Sequence, residues 1–253
     1  MKAMIFAAGV GSRLKPYTDF HPKALVSVGG IPALGRVLCK IKDAGVTDAV
    51  VNVHHFGSQI TEFLRANDNF GMNIIISDET GCLLDTGGGL LKAASFLTSA
   101  DGEPILLHNA DIITDFPLSE MLHEHESNRS DVTLLVDERK SSRQLCFSSD
   151  MKLKGWQNLK TGEVRPVGCT PEDFISLAFG GVHIISPAIF SCLNEYAGEN
   201  GGTDIPFSII PFYIWSIGRL RITGYKPSKP YMWHDVGTSE KLAEANKALA
   251  GGT

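Results

Sequence analysis

The sequence has few of the features that mark secreted, membrane-spanning or nucleic-acid-binding proteins. Its 253 residues include five cysteines, an odd number without Cys-x-x-Cys spacing, which argues against a disulfide framework and a zinc site. No apolar run approaches the roughly 18 residues of a membrane-spanning helix. A net charge of −5 gives no reason to expect nucleic acid or a membrane surface as partner. Because no signal-peptide pattern precedes the first strand, we expect a cytoplasmic protein with reduced thiols.

Several well-known catalytic and phosphate-binding motifs are also missing. The dinucleotide fingerprint needs a third glycine where Leu14 stands, and no Gly-Lys-Ser/Thr string closes a Walker loop. No Ser-His-Asp arrangement or evident cysteine nucleophile suggests itself. His123 and His125 fall on different faces of a predicted helix and are not expected to chelate one metal together.

The best-marked stretch is the strand and loop that open the chain. Small and apolar residues from Ala3 to Ala8 predict a buried parallel strand that runs directly into Gly9 and Gly11. Glycines let the backbone turn sharply and bring its N–H groups close to a ligand. Arg13 and Lys23 add fixed positive charge to the same loop. This combination predicts a phosphate cradle, with an ordinary glycine-rich turn and a surface arginine as the alternative.

Predicted strands and helices alternate through the first half of the chain, which indicates βαβ units and a parallel sheet. Further strands are predicted at 48–53, 73–76, 105–109 and 131–136, with helices between them near 31–45, 58–65, 86–94 and 118–126. The pattern loosens after Asp137. There it predicts a hairpin at 143–155, strands at 177–185, 221–225 and 233–236, and helices at 187–195, 206–217 and 239–249, although 212–215 could equally be a strand. We therefore predict one α/β domain.

Polar residues follow the predicted strands, where ligands bind in open α/β sheets. Glu79 follows the third strand, and Asn109 and Asp111 follow the fourth. Asp235 ends a later strand, and we expect it at the same edge of the same sheet as Asp111. Two carboxylates completed by substrate phosphates and waters suit Mg²⁺. Turn or helix caps are the alternative for both aspartates.

Three successive glycines are predicted in the first turn of a helix, after Thr86. Each costs roughly 1 kcal/mol relative to alanine in a helix, which suggests a use. Bare backbone at Gly87 and Gly88 would let a flat nucleobase lie against the main chain and bond to it. A flexible helix start is the alternative.

These motifs occur in one order along nearly the whole chain, and that order resembles the signature of the sugar-1-phosphate nucleotidyltransferases. They are Gly9-x-Gly11-Ser12-Arg13, Pro16-x-Thr18, Pro22-Lys23, Thr86-Gly87-Gly88, Asn109-x-Asp111, Phe179-Gly180-Gly181-Val182 and Trp233-x-Asp235-Val236-Gly237-Thr238. The compact size and the string from Asp85 to Gly89 look most like N-acetylmuramate-1-phosphate uridylyltransferases and mannose- or heptose-1-phosphate guanylyltransferases.

The resemblance implies a Rossmann-like nucleotidyltransferase fold of the glycosyltransferase-A type, with a mixed, mostly parallel central sheet flanked by helices. Residues 1–253 would form a single domain, with a nucleotide-binding half at 1–136 and a sugar-phosphate-binding half at 137–253. The implied reaction is Mg²⁺-dependent transfer of a nucleoside monophosphate from UTP, GTP or CTP to a sugar 1-phosphate, with release of pyrophosphate. A monomer or small homo-oligomer would carry it out in nucleotide-sugar biosynthesis for cell-envelope polysaccharide.

The resemblance also implies roles for individual residues. The catalytic set is Arg13, Lys23 and Asp111; the nucleotide-binding set is Ala8, Gly9, Gly11, Ser12, Glu79, Thr86, Gly87 and Gly88; the sugar-phosphate set is Asn109 and Gly181; and the metal set is Asp111 and Asp235.

Two other functions stay open at this point. A nucleotide-sugar-dependent glycosyltransferase would typically carry Asp-x-Asp, whereas this chain has Asn109-x-Asp111. A catalytically silent binding subunit would have no reason to keep the cations and the aspartates together. One departure from the family concerns the sugar side, since Gly155–Asn158 stands where many relatives have a Glu-Lys-Pro string.

Overall fold

Ten strands form the central sheet, and helices cover both of its faces. The computed structural model describes residues 1–250. The strands are β1 (Lys2–Phe6), β2 (Ser27–Val28), β3 (Ile31–Pro32), β4 (Asp48–Val53), β5 (Asn73–Asp78), β6 (Ile105–Asn109), β7 (Ile112–Thr114), β8 (Val132–Asp137), β9 (Arg143–Phe147), β10 (Leu153–Asn158), β11 (Glu163–Arg165), β12 (Ile175–Ile185), β13 (Ile222–Tyr225) and β14 (Trp233–Asp235). The helices are α1 (Ala33–Asp43), α2 (Gly57–Ala66), α3 (Asp85–Leu97), α4 (Leu118–Ser127), α5 (Ile189–Glu199), α6 (Ile209–Trp215) and α7 (Ser239–Ala250).

The sheet has a parallel half and an antiparallel half that meet at β6. Strands β5, β4, β1 and β6 pair in parallel in that order, and β13 pairs in parallel with β8. Long β12 runs antiparallel to β6 on one side and to β8 and β9 on the other, and β9, β10 and β11 continue the sheet. The predicted α/β class with a mixed sheet between helices is confirmed.

Two apolar cores lie on opposite faces of the sheet. Successive side chains of a strand point to opposite faces, so Met4 packs into one core while Ala3 and Ile5 pack into the other. Helices α3, α5 and α6 cover the first face, and α1, α2 and α4 cover the second. The side chains of Ala3, Met4 and Ile5 are fully buried, and this burial holds in place the strand that leads into the glycine loop.

The segment predicted as helix or strand at 212–215 is helical in the structure, within α6. The helix begins later than predicted because the preceding residues bind elsewhere. The Phe207 N–H donates to the Leu84 carbonyl (3.1 Å), and the Ile209 N–H donates to the Thr86 hydroxyl (2.9 Å). These bonds attach the start of α6 to the start of α3.

Within residues 1–250, no helix is both long enough and apolar enough to cross a membrane.

Candidate active site

The loop after β1 folds into three short 3₁₀ turns. These turns place the side chain of Lys23 against Gly11. Gly11 has a φ of +68°, and a Cβ there would lie 2.8 Å from the Lys23 Cβ and 2.9 Å from the Thr18 methyl. The Thr18 hydroxyl donates to the Gly11 carbonyl over 2.9 Å. Glycine is therefore required at this position by both backbone conformation and space. Ser12 and Arg13 follow on the exposed side of the loop.

A charged cluster joins the loop to the carboxyl end of β6. The Lys23 ammonium forms an ion pair with Asp111, and both side chains are mostly buried. A Cβ built on Gly237 would lie 3.2 Å from the Lys23 Nζ, 3.4 Å from an Arg13 guanidinium nitrogen and 2.8 Å from the Asp235 Oδ1. The structure thus brings Arg13, Lys23 and Asp235 around Gly237, whose lack of a side chain leaves them room, and Asp111 joins this group through its ion pair with Lys23.

The two aspartates meet differently from the prediction, which placed them at one edge of one sheet. Asp111 lies in the turn between β6 and β7, and Asp235 ends β14, which pairs with β7 in a separate two-stranded sheet. Asp235 stands in register with Ile112, and the Val236 N–H donates to the Asp111 carbonyl over 2.9 Å. This small sheet brings Asp235 to Asp111.

Each aspartate lies against an ammonium group, so this site accepts positive charge. Asp235 accepts from the Lys241 Nζ (2.5 Å) and from the Gly237 N–H (2.9 Å). Burial alone would raise the pKa of Asp235, but the Lys241 hydrogen bond and charge outweigh it and hold the pKa below its usual value. Within residues 1–250 no three metal-ligating side chains cluster. Two carboxylates do fit Mg²⁺, which takes its other ligands from phosphates and waters.

A cavity of about 390 Å³ opens beside this cluster. It is lined by Phe6, Ala7, Ala8, Gly9, Lys23, Ala24, Asn52, Leu83, Asp85, Thr86, Asn109, Ala110, Asp111 and Pro206. Nothing lies within 4 Å of a Cβ built on Gly9, so the backbone there is open to a ligand. Of the predicted residues, Ala8, Gly9, Lys23, Thr86, Asn109 and Asp111 line this cavity.

The glycine run at the start of α3 is covered by the chain itself. The Phe207 carbonyl accepts from the N–H groups of Gly87 (2.8 Å) and Gly88 (3.2 Å), and both glycines are buried. The Phe207 ring lies where a Gly87 side chain would project, and the Ile205 carbonyl lies over Gly88. The expectation of a bare glycine surface is therefore wrong. A contact between these two glycines and a base stays a prediction, and it requires the Phe207 segment to move.

Replacing Gly87 by Ala is expected to destabilise the fold by about 1–3 kcal/mol, the usual cost of overpacking. The new Cβ would stand 2.3 Å from the Phe207 ring and 2.9 Å from its carbonyl oxygen. Urea unfolding measures the change. Gly81→Ala is the matched control, because nothing lies within 4 Å of its Cβ. If both variants unfold at the parent's urea concentration, Phe207 does not pack on α3 in solution.

Glu79 is buried, with only 1% of its surface exposed, and it does not line the cavity. Its two carboxylate oxygens accept from the Asn52 amide and from the Leu84 N–H. Its predicted contact with the nucleotide stays a prediction, whereas the structure shows it joining β4 to the segment that precedes α3. Asn52 was not predicted as a site residue, because it lies inside β4 and has no motif around it.

The predicted sugar-phosphate residues Asn109 and Gly181 are neighbours. Gly181 has a φ of +76° at an irregularity in β12, and its Cβ position lies 3.0 Å from the Asn109 amide nitrogen. Sequence reasoning missed Arg139, which stacks over the Trp233 ring at 3.5 Å and donates to the Phe179 carbonyl (2.9 Å). The Trp233 indole N–H donates to the Gly180 carbonyl over 2.9 Å. Arg139 therefore ties β14 to this part of β12.

A second cavity, of about 460 Å³, lies on the antiparallel half of the sheet. It combines two aromatic rings, Trp156 and Phe179, with the guanidinium groups of Arg143 and Arg165. Trp156 belongs to the stretch that replaces the Glu-Lys-Pro string. Apolar ring faces and planar hydrogen-bond donors suit a sugar that carries an anionic group.

The two histidines buried beneath the site are not placed for acid–base work. Burial lowers the pKa of His108 to about 4 and that of His183 to about 3, so both are neutral near pH 7. The His183 Nδ1 is bonded to the Tyr213 hydroxyl at 2.8 Å. The polar residues that line the cavity are instead Lys23, Asn52, Asp85, Thr86, Asn109 and Asp111.

A glycine loop with two cations lies beside two aspartates and a cleft at the ends of parallel strands, an arrangement expected for a nucleotide-binding α/β enzyme. Comparison with known proteins agrees. A model of the nucleotidyl transferase family matches residues 2–147. An N-acetylmuramate alpha-1-phosphate uridylyltransferase of Neisseria meningitidis is 34% identical, covering 99% of each chain, and one of Caulobacter vibrioides is 31% identical, covering 98% of this chain and 96% of its own.

The solved structures agree on the fold. A UDP-glucose pyrophosphorylase complexed with UDP-glucose superposes with a TM-score of 0.77 at 18% identity, covering 100% of this chain and 99% of that chain. The chain belongs to the nucleotidyl transferase family, and it is an enzyme of the sugar-1-phosphate nucleotidyltransferase class.

Proposed function

We propose that this enzyme transfers a nucleoside monophosphate from a nucleoside triphosphate to a sugar 1-phosphate, with Mg²⁺, and releases pyrophosphate. The observation that carries the proposal is the grouping of Arg13, Lys23 and Asp235 around Gly237, with Asp111 paired to Lys23, beside an open glycine loop. UTP is the first donor to test, since two relatives that match over nearly the full length are uridylyltransferases. We place the reaction in the cytoplasm, where nucleoside triphosphates are made.

The proposed chemistry is one in-line displacement. A phosphate oxygen of the sugar 1-phosphate bonds to the α-phosphorus, and the bond to the bridging oxygen breaks, so its electron pair leaves with pyrophosphate. Lys23 is proposed to hold the α-phosphate as negative charge builds there, and Arg13 the leaving β- and γ-phosphates. Mg²⁺, held by Asp111 and Asp235, would supply further positive charge to the phosphates. Positioning and charge stabilisation replace a covalent nucleophile.

The two cavities suggest how the substrates divide between the halves of the chain. The base and ribose are proposed to lie in the first cavity, between the Ala7–Gly9 backbone and the Leu83–Thr86 segment. The sugar is proposed to lie toward Gly181 and the second cavity, where Trp156 and its neighbours line the wall. The predicted nucleotide-binding half at 1–136 and sugar-phosphate-binding half at 137–253 stay a prediction, and Pro206 of the second half also lines the first cavity.

A pyrophosphate-release assay tests the proposal. The five common nucleoside triphosphates are first ranked with Mg²⁺ by thermal shift, and each stabilising nucleotide is then combined with a set of sugar 1-phosphates. We expect pyrophosphate only when a suitable sugar 1-phosphate is present. Sugar transfer from a nucleotide sugar without pyrophosphate would identify a glycosyltransferase instead, and binding without turnover of any pair would identify a silent subunit.

A further inference from the structure

A buried hydrogen-bonded bridge joins the two walls of the nucleotide cavity. The Asn52 Oδ1 accepts from the N–H groups of Ala7 (2.7 Å) and Ala8 (3.3 Å), on the loop after β1. The Asn52 amide donates to the Glu79 Oε1 over 2.8 Å, and the Glu79 Oε2 accepts from the Leu84 N–H over 3.0 Å. One chain of bonds therefore runs from the glycine loop to the segment that starts α3.

The backbone groups at the two ends of this bridge fix which atom donates and which accepts in each of its hydrogen bonds. Backbone N–H groups only donate, so the oxygen of Asn52 faces Ala7 and one oxygen of Glu79 faces Leu84. The remaining contact then joins the amide N–H of Asn52 to the second oxygen of Glu79. Asn52 is 2% exposed and Glu79 1% exposed, so an unmatched group here finds no water to replace its partner.

Gly89, the third glycine of the run, packs against the same bridge. A Cβ on Gly89 would stand 2.7 Å from the Glu79 Oε1 and 3.1 Å from the Asn52 amide nitrogen. The absence of a side chain thus lets α3 approach the bridge closely. Gly87 and Gly88 accommodate the Phe207 segment instead, so the run serves two different contacts.

We propose that the Asn52–Glu79 bridge sets the distance between the two walls of the nucleotide cavity, which makes both residues positioning residues for the nucleoside triphosphate. The inference rests on the proposed function, because it takes this cavity to be the nucleotide site. Neither side chain needs to touch the reacting atoms. The bridge acts by holding the Ala7–Ala8 backbone and the Leu84 segment at one spacing, and binding is sensitive to the placement of such supporting groups.

Exchange of the two functional groups tests the inference. Glu79→Gln places an N–H group where an acceptor is needed, and turning either amide only moves the mismatch along the bridge. Asn52→Asp places a carboxylate against a carboxylate. In the double variant, the carboxylate introduced at position 52 would accept from the N–H groups of Ala7 and Ala8 and from the amide introduced at position 79. The oxygen of that amide would accept from Leu84, so every bond is matched again and the net charge is unchanged.

We expect each single variant to raise the KM for the nucleoside triphosphate about tenfold or more, with the KM for the sugar 1-phosphate changed less than about twofold. The double variant should return the nucleotide KM to within about threefold of the parent. Glu62→Gln, on the exposed surface of α2, is the matched control and should leave both constants unchanged. Steady-state kinetics at about 15 °C, with melting temperatures measured alongside, gives all the constants.

A single variant with a lowered melting temperature but the parent's nucleotide KM would show a merely structural bridge and overturn the inference. A double variant as poor as the singles would overturn it as well. If a single variant fails to fold, the double variant decides, since a near-parent KM supports the bridge and a raised one contradicts it. Failure of the parent to use any nucleotide with a sugar 1-phosphate would instead overturn the proposed function.

Discussion

Replacing Lys23 by Ala is expected to lower turnover by about 10²-fold or more, the size seen when one group that stabilises a developing negative charge is removed. Lys23 lies in the cavity and pairs with Asp111, so its ammonium group is placed where the α-phosphate is proposed to bind. Arg13→Ala should have an effect of the same order through the leaving phosphates. Steady-state turnover at saturating substrates measures both.

Lys15→Ala is the matched control for this loop. Lys15 lies on the same segment and pairs with Asp19 over 2.9 Å, but its side chain is 63% exposed and does not line the cavity. We expect it to keep parental turnover, and both it and Arg13→Ala to keep the parental melting temperature within a few degrees. Lys23→Ala should fold but melt at a lower temperature, because it leaves the largely buried carboxylate of Asp111 without its ion-pair partner. Near-normal turnover in a folded Lys23→Ala enzyme would remove this residue from the mechanism.

Replacing Asp111 or Asp235 by Asn is expected to lower turnover roughly 10- to 100-fold and to raise the Mg²⁺ concentration needed for half-maximal rate. Each change keeps the size of the side chain but withdraws a negative charge from a hard cation. Because both residues are proposed to hold the same Mg²⁺, they should act as a unit, and their losses should not add. The double variant should be little worse than the poorer single one.

Rates measured across a Mg²⁺ titration, for the parent and all three variants, decide this prediction. Asp150→Asn is the matched control, because Asp150 is exposed on the turn between β9 and β10 and pairs with Lys152. Losses that multiply, together with an unchanged Mg²⁺ requirement, would show that the two aspartates do not share a metal.

Local patterns were enough to predict much of the fold and the charged part of the site. The apolar run from Ala3 to Ala8 predicted β1, and the bounds of β4 and β6 agree with the prediction because their apolar runs are short and clearly ended. The approach of Asp235 to Asp111 could be anticipated from family order, but its route through a separate two-stranded sheet could not. That route depends on the pairing of β7 with a strand more than a hundred residues away.

The glycine run shows why the rest was not predictable. The sequence indicates that Gly87, Gly88 and Gly89 serve some use, but what fills the space beside them comes from distant residues. Phe207 approaches from the start of α6, and Glu79 from the end of β5. Arg139 likewise carries no local motif, and only the folded chain brings it into contact with Trp233. A glycine run in a helix indicates that another part of the chain packs closely there, but the sequence does not show which part.

The fate of each phosphate is the most direct test of the central claim that the enzyme makes a nucleotide sugar by direct displacement at the α-phosphorus. The parent enzyme is incubated with Mg²⁺, a sugar 1-phosphate and the preferred nucleoside triphosphate, labelled with ³²P at the α position in one reaction and at the γ position in another. We predict that the α label enters the nucleotide sugar, the γ label leaves as pyrophosphate, and neither moves without the sugar 1-phosphate. A γ label found on the sugar or as inorganic phosphate, with pyrophosphatase absent, would contradict the account.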